Sequence, residues 1–381
     1  MAAKVAVQRC NSYDPPAVAL AVNSAFSSLG GLDVLLKDRG PCLVKPNILS
    51  PSAPSTAITT HPAVVEAVAR SLLSCGYNVS VGDSPGRGDT VRAAEASGIA
   101  EACRKAGVPV VAFDQEVSVG QPSGMVCKEF QLARPVVDAG SIVNVAKMKT
   151  HGFMTYTGAV KNLFGCIPGT MKAKMHLRFQ EPRDFCLMLL DIYRLVNPAL
   201  SVLDAVIAMD GDGPSHGRPR PFGVILVSTD AVALDTVAMH LAKADPMRVP
   251  YLAEARRLGV GETRLESIEI AGEALESCEV QDFRLPDGGE PSTLFRWGAR
   301  ARRVVTASPE IDLSKCTGCA QCARSCPPHV ISIMQGKASI DHSSCIRCYC
   351  CHEMCPEGAI TLRRGHLARL TERVLDSFNR K

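Results

Sequence analysis

The sequence predicts an α/β protein in two unequal parts: a mostly parallel, layered sheet domain over residues 1–285, then a small α+β domain over 309–364. Three observations carry this. Short β-rich runs alternate with helical stretches, the pattern of a sheet covered by helices on both faces. A polar, Pro- and Gly-rich stretch, LPDGGEPST (285–293), followed by the clustered arginines of RWGARARR (296–303), breaks that alternation and marks a linker over 286–308. Beyond it, eight cysteines crowd into residues 316–355.

The elements follow in order. KVAVQRC (4–10) reads as a strand, and AVALAVNSAFSSLG (17–30) as a helix closed by Gly30 and Gly31. PCLVKPN (41–47) is a buried strand stopped by Pro46, and a helix runs from Pro62 to Cys75 with Gly76 as its stop. YNVSVGD (77–83) alternates as a strand and opens into the glycine-rich turn SPGRG; residues 89–106 are helical, and VPVVAF (108–113) is a further strand. An accessory strand is expected over 125–132 and a buried one at SIVNVAK (141–147). Residues 183–196 are helical, ALSVLDAVIAM (199–209) and FGVILVS (222–228) are strands, Asp230–Lys243 and Met247–Leu258 are helices, and ESIEIAG (266–272) closes the pattern. Asp230 is placed as the N-cap of its helix, and a basic terminal helix is expected over 365–381.

At 381 residues the chain has room for a large core, and a hydrophobic share of 46% with a formal charge of +4 describes a globular protein. That modest charge and an aromatic share of 5% give no footprint for nucleic acid. No apolar run reaches the length of a membrane span, and no basic region followed by an apolar run opens the chain. Of the 17 cysteines, eight follow a motif and most of the rest are scattered, as small buried hydrophobes are. Free thiols in that number point to a reducing, cytoplasmic setting rather than a disulfide framework.

The motif is the strongest signal in the chain. CTGCAQCARSCP (316–327) and CIRCYCCHEMCP (345–356) both follow C-x-x-C-x-x-C-x-x-x-C-P. Three thiolates spaced by two residues wrap one face of an iron–sulfur cube, and the fourth, beside a turn-setting proline, ligates the other cube. Cys316, Cys319, Cys322 and Cys355 are thereby assigned to one cluster, and Cys345, Cys348, Cys351 and Cys326 to a second. Zinc also takes C-x-x-C pairs, but it needs four ligands per ion and gains nothing from the third Cys or the Cys-Pro. Cys350, beside Cys351, is an extra thiol outside the spacing. With each cube carrying about −2 when oxidised, the loaded protein is close to neutral. Residues 309–364 resemble a bacterial-type ferredoxin domain with two 4Fe-4S clusters, which implies one-electron transfer with a redox partner protein or low-potential donor.

In the larger domain, ligands are expected at the carboxyl ends of the strands. Four loops there carry unusual polar content: VKPN around Lys45, GDSPGRG with Asp83, AKMKTHG (146–152) and MDGDGPSHG (209–217) with Asp210 and Asp212. Lys147, Lys149 and His151 alternate, as do Lys172, Lys174 and His176; in extended chain each trio shares one side. Lys161 stands between them in GAVKNLFG. The functional reading is a pocket in which Lys45, Lys147, Lys149 and Lys161 hold a small anion, a carboxylate or phosphate, while His151 and His176 supply protons. Solvated surface lysines are the bland alternative. For Asp83, Asp210 and Asp212 the choice lies between a binding or metal role and turn chemistry. His61 reads equally as a helix-entry residue or a ligand. The turn at 82–88 could cradle a phosphate, but it is neither a dinucleotide nor a P-loop pattern. No flavin or nicotinamide fingerprint and no Ser-His-Asp or zinc-protease motif is legible.

VKPNIL (44–49), THP (60–62), GDSPGRG, NVAKMKTHGFMTYTGAVKNLFGCIPG (144–169) and DGDGPSHG (210–217) together resemble the family known as domain of unknown function 362, over residues 1–272. The resemblance implies an iron–sulfur, mostly anaerobic context and no particular reaction. Two functions follow as expectations: an oxidoreductase passing electrons to a small anionic substrate or cofactor, or a non-enzymatic carrier that docks a partner enzyme.

Overall fold

A computed structural model describes residues 2–36, 40–286 and 306–363. The sheet strands of the larger part are β1 (Ala3–Arg9), β2 (Pro41–Pro46), β3 (Asn78–Val81), β6 (Ser141–His151), β8 (Leu200–Asp210), β9 (Arg218–Ser228) and β10 (Ile268–Gly272), with β4 (Glu116–Gly120) and β5 (Glu129–Ala133) forming a separate hairpin. The order across the sheet is β10-β1-β9-β8-β6-β2-β3, and the short β7 (Thr155–Thr157) pairs with the end of β6. Pairings β1–β10, β2–β3, β2–β6 and β6–β8 are parallel; β9 alone in that order runs antiparallel to both its neighbours. The fold is α/β around a mostly parallel sheet, as the strand–helix alternation predicts.

Period-two alternation assigns the two faces. In β6, Val143 and Val145 enter the core formed with Val18, Phe26, Val64 and Leu72 of the helices Pro15–Ser28 and Pro62–Ser74. Ile142, Ala146 and Met148 enter the opposite core with Phe185, Leu189, Leu234 and Tyr251 of the helices Pro182–Val196, Ala231–Leu241 and Pro250–Leu258. Every residue of β6 is buried, so its polar side chains must find partners inside the protein.

Several local expectations change. VPVVAF is reduced to one parallel bridge between Val81 and Val110. The accessory strand is β5, paired with β4, a strand in EVSVG that is not among those expected. Residues 89–106 break into two helices at Gly98, which adopts φ +73°. Lys172, Lys174 and His176 lie on the helix Gly169–Arg178, not on extended chain, so Lys174 turns to solvent while His176 is buried. His61 caps its helix by accepting from the Ala63 amide at 3.2 Å, and Asp230 caps its own through the Val232 and Ala233 amides. The expected terminal helix and nearly all of the linker lie outside the described residues.

The small part has two antiparallel ribbons, β11 (Ser308–Ile311) with β14 (Ile360–Arg363) and β12 (Ile331–Met334) with β13 (Lys337–Ile340), and two one-turn helices, Gln321–Arg324 and Cys350–Met354. It packs against the carboxyl edge of the large sheet: Tyr349 sets its ring 6.2 Å from that of Phe153, and His216 donates from Nε2 to the Cys355 carbonyl at 2.8 Å.

Candidate functional site

In the small part, Cys316, Cys319, Cys322 and Cys355 line one pocket together with Ile311, Ala338 and Ile360. Cys326, Cys345, Cys348 and Cys351 line another together with Val330, Ile340 and Tyr349. Matching positions of the two loops take left-handed backbone: Gly318 and Ala320 in the first, Arg347 and Tyr349 in the second. This winds each loop around its pocket and aims amides at sulfur. Ala338, Arg347 and Ala359 donate to the sulfurs of Cys316, Cys345 and Cys355 at 3.4, 3.4 and 3.3 Å. Four thiols, an apolar wall and N–H···S donors fit a 4Fe-4S cube, whose potential such hydrogen bonds tune. Among the described residues no three His, Cys, Asp or Glu side chains gather on a single-ion site, whereas zinc draws four ligands to within about 2.3 Å of one centre.

Between the two parts lies a cavity of about 1060 Å³. One wall is the carboxyl edge of the sheet: Asn47, Asp83, Lys161, Phe164, Lys172 and His176. The facing wall belongs to the small part and includes Cys326, Cys350, Glu353 and Met354. One thiol of the second set therefore borders the cavity directly. Cys319 of the first set is exposed to solvent.

The predicted lysines separate by partner. Lys45 pairs with Asp83 at 2.8 Å, both buried, and Asp83 also accepts from the Ile48 amide at 2.7 Å. Lys147 is drawn away from the cavity: its Nζ donates to Asp204 at 2.9 Å and to Tyr13 at 2.7 Å, and a register shift between Lys147 and Lys149 separates the two. Lys149 is held by neutral acceptors, Asn47 Oδ1 at 3.0 Å and the Ile58 carbonyl at 2.6 Å, and burial pushes its ammonium down to about 7. Lys172 donates to the carbonyls of Ser84 and Pro85 and is lowered by burial to about 8. Lys161 differs from all of these. It is 9% exposed, lines the cavity, lies 5.5 Å from the Phe164 ring, and forms no ion pair or hydrogen bond through Nζ among the described residues.

Both histidines are neutral. His151 accepts at Nδ1 from the Phe153 and Met154 amides at 3.0 and 3.2 Å, which puts its proton on Nε2, an atom with no hydrogen-bond partner lying 3.8 Å from Glu353 Oε2. His176 stacks on Phe185 with centroids 4.6 Å apart. Burial, then the Lys161 charge, hold His151 well below its ordinary value and His176 at about 3. Each can offer an N–H; neither is a charged acid at neutral pH. Asp210 is taken up by Arg218 at 2.9 and 3.1 Å and does not reach the cavity. Asp212 faces His352 of the small part at 3.6 Å, so its loop is a seam between the parts.

Residues 42–240 match the family described as domain of unknown function (DUF362), and residues 308–356 match a 4Fe-4S dicluster domain. The chain belongs to the DUF362 family. Its C-terminal part is a ferredoxin-type iron–sulfur module fused to the DUF362 domain. A thylakoid-associated protein of Synechocystis sp. is 33% identical over 288 residues, 75% of this chain and 89% of that protein. Among solved structures, the lactate racemase apoprotein from Thermoanaerobacterium thermosaccharolyticum aligns with TM-score 0.39 and 12% identity, over 60% of this chain and 54% of that one.

Other residues of this DUF362 protein's site carry no motif of their own. An amide chain runs behind the cavity: Asn47 donates to Asn162 at 2.9 Å, Asn162 to Asn144 at 2.8 Å, and Asn144 to Ser201 at 3.2 Å. It ties Lys149 to the wall that carries Lys161. Two glycines make that wall possible. A Cβ on Gly165 would stand 2.2 Å from Asp83 Oδ1, and one on Gly158 1.9 Å from Asp235 Oδ1, the carboxylate that anchors the Ala159 and Val160 amides at 2.7 and 3.0 Å. The cluster of Gly, Asn and Lys in GAVKNLFG is the signal for this in the sequence. Glu353 lies hidden inside the cysteine motif, where only the extra thiol Cys350 stands out.

Proposed function

We infer that the ferredoxin-type module gives the protein an iron–sulfur electron-transfer role. We propose that it is an oxidoreductase in which Cys316, Cys319, Cys322 and Cys355 hold one 4Fe-4S cluster, Cys345, Cys348, Cys351 and Cys326 hold another, and a small carboxylate or phosphate binds in the cavity between the modules. The clusters supply one-electron transfer when bound. Cys319, open to solvent, suits exchange with a partner protein or low-potential donor, and Cys326 lies at the cavity. Lys161 is the anchoring cation, since a buried charge with no ion-pair partner among the described residues is best satisfied by an anionic ligand. Lys172 on the same wall and Lys149 behind it add positive field. The imidazole of His176, on the cavity wall, orients the bound molecule, His151 Nε2–H lies behind that wall 3.8 Å from Glu353 Oε2 and positions it, and the Lys45–Asp83 pair is the rigid floor. The nine cysteines outside the two cluster sets form no disulfide, which suits a reducing compartment such as the cytoplasm.

One observation carries the reading: a buried ammonium with no ion-pair partner among the described residues and a thiol of the second set line the same cavity. The test is anaerobic. Holoprotein reduced with dithionite and freed of the excess is mixed with a panel of small carboxylates and phosphates that carry a reducible group such as a carbonyl, which serves as the electron acceptor, and reoxidation is followed by visible absorbance. At least one anion is expected to accelerate it in wild type and not in Lys161→Ala of equal iron content. Reoxidation indifferent to every anion would leave the carrier reading, which draws on the exposure of Cys319 beside Ile333.

A further inference from the structure

We propose that Lys161 makes anion binding and electron entry compete. A small carboxylate or phosphate in the cavity, and an electron added to the cluster held by Cys326, Cys345, Cys348 and Cys351, draw on the same ammonium. This rests on the anion-binding reading given above and adds a regulation to it.

The geometry is specific to this lysine. Lys45 and Lys147 are each satisfied by a buried carboxylate at 2.8 and 2.9 Å, so neither has charge to spare. Lys161 has none within ion-pair distance among the described residues, and the negative charge that acts on it is Glu353, on the wall of the iron–sulfur module. Cys350 sits directly before Cys351 and lines the cavity with Cys326. Lys161 is buried, and the Coulomb interactions of a buried charge are screened less than those at the surface. An anion on Lys161 removes the positive charge that would otherwise stabilise an added electron. An added electron, in turn, satisfies the ammonium and weakens its hold on the anion. By linkage the two effects are equal in size.

The redox step is a plain one-electron transfer: dithionite is oxidised, the cluster is reduced, and no bond forms or breaks. The anion leaves more readily from the reduced protein. In a working cycle this would discharge an anionic ligand as reduction proceeds.

The test uses anaerobic holoprotein with inorganic phosphate in one arm and acetate in the other. Dissociation constants are measured by calorimetry on oxidised and dithionite-reduced protein, and cluster potentials by titration followed with electron paramagnetic resonance. Binding weaker by about tenfold on reduction is expected, with one of the two clusters falling by about 59 mV at saturating anion and the other unmoved. The arm that binds tells phosphate from carboxylate. Lys161→Gln should lose both binding and shift, and its responsive cluster should start at a lower potential. Lys161→Arg, which keeps the charge, should restore that potential, which a merely structural role would not require. Equal affinity in the two redox states would overturn the competition while leaving the anion site standing. Absence of binding by either anion, with a lowered potential in Lys161→Gln, would make Lys161 a counter-charge only and sink both readings.

Discussion

Lys161, Lys45 and Lys147 are chemically identical and all buried, yet their surroundings assign them opposite roles. Removing one partner of a buried pair strands the other charge, at a cost of about 3–5 kcal/mol. Lys45→Ala and Lys147→Ala should therefore lower stability by about that amount in denaturant titrations, whatever the ligand state. Lys161→Ala breaks no ion pair among the described residues, so its loss of stability should be well below that of Lys45→Ala and Lys147→Ala while anion binding is lost. His176 adds a pH dependence. Its folded value of about 3 lies below that of an unfolded histidine near 6.5, so below pH 6.5 the unfolded chain binds the extra proton. The stability due to the neutral folded imidazole is complete above about pH 6.5 and is lost as pH falls toward 3. His176→Phe keeps a ring on Phe185 and should flatten the fall in melting temperature between pH 6.5 and 4, relative to wild type, by an amount worth a few kcal/mol. An unchanged slope would show that His176 is not buried neutral.

At the scale of elements, the strand expected to end at residue 147 runs on through KMKTH to His151, so AKMKTHG is strand rather than loop, and its alternation conceals which lysine faces what. The irregularity between Lys147 and Lys149 sends the first to Asp204 and the second to Asn47. The second trio had the same spacing in residues that fold as helix, because Thr-Met-Lys-Ala-Lys-Met-His-Leu holds strong helix formers and no β-branched run. Period-two spacing of lysines has no structural meaning where the apolar residues do not alternate with it. The one-turn helix Ala159–Asn162, which carries both Lys161 and Asn162, is too short to stand alone and depends on Asp235 holding its first amides. Gly158→Ala would drive a methyl into that carboxylate. Overpacking of this kind costs about 1–3 kcal/mol. It should also abolish anion binding through displacement of Lys161, measurable as loss of the ligand-induced thermal shift.

At the scale of the whole molecule, the fold class and the cysteine spacing were legible because hydrophobic periodicity and C-x-x-C runs are local. The cavity was not, because it is made from residues about 190 apart in sequence, such as Lys161 and Glu353, and no local pattern reports how two modules dock. The seam rests on a few polar contacts, His216 to the Cys355 carbonyl and Asp212 to His352, with Phe153 against Tyr349. Removing it should open the cavity without emptying the cluster sites. Asp212→Ala combined with His216→Ala is expected to keep the iron content and weaken anion binding by roughly tenfold, the scale of one or two lost contacts. Undiminished binding would mean that the DUF362 edge holds the anion without its facing wall.

The most direct measurement asks whether a bound anion lies beside the iron. Reduced holoprotein in excess inorganic phosphate, read by pulsed electron–nuclear double resonance at phosphorus, should show a hyperfine coupling to the cluster nearer the cavity, absent in Lys161→Gln. Phosphate that binds by calorimetry yet couples to neither cluster would place the anion elsewhere and contradict the account.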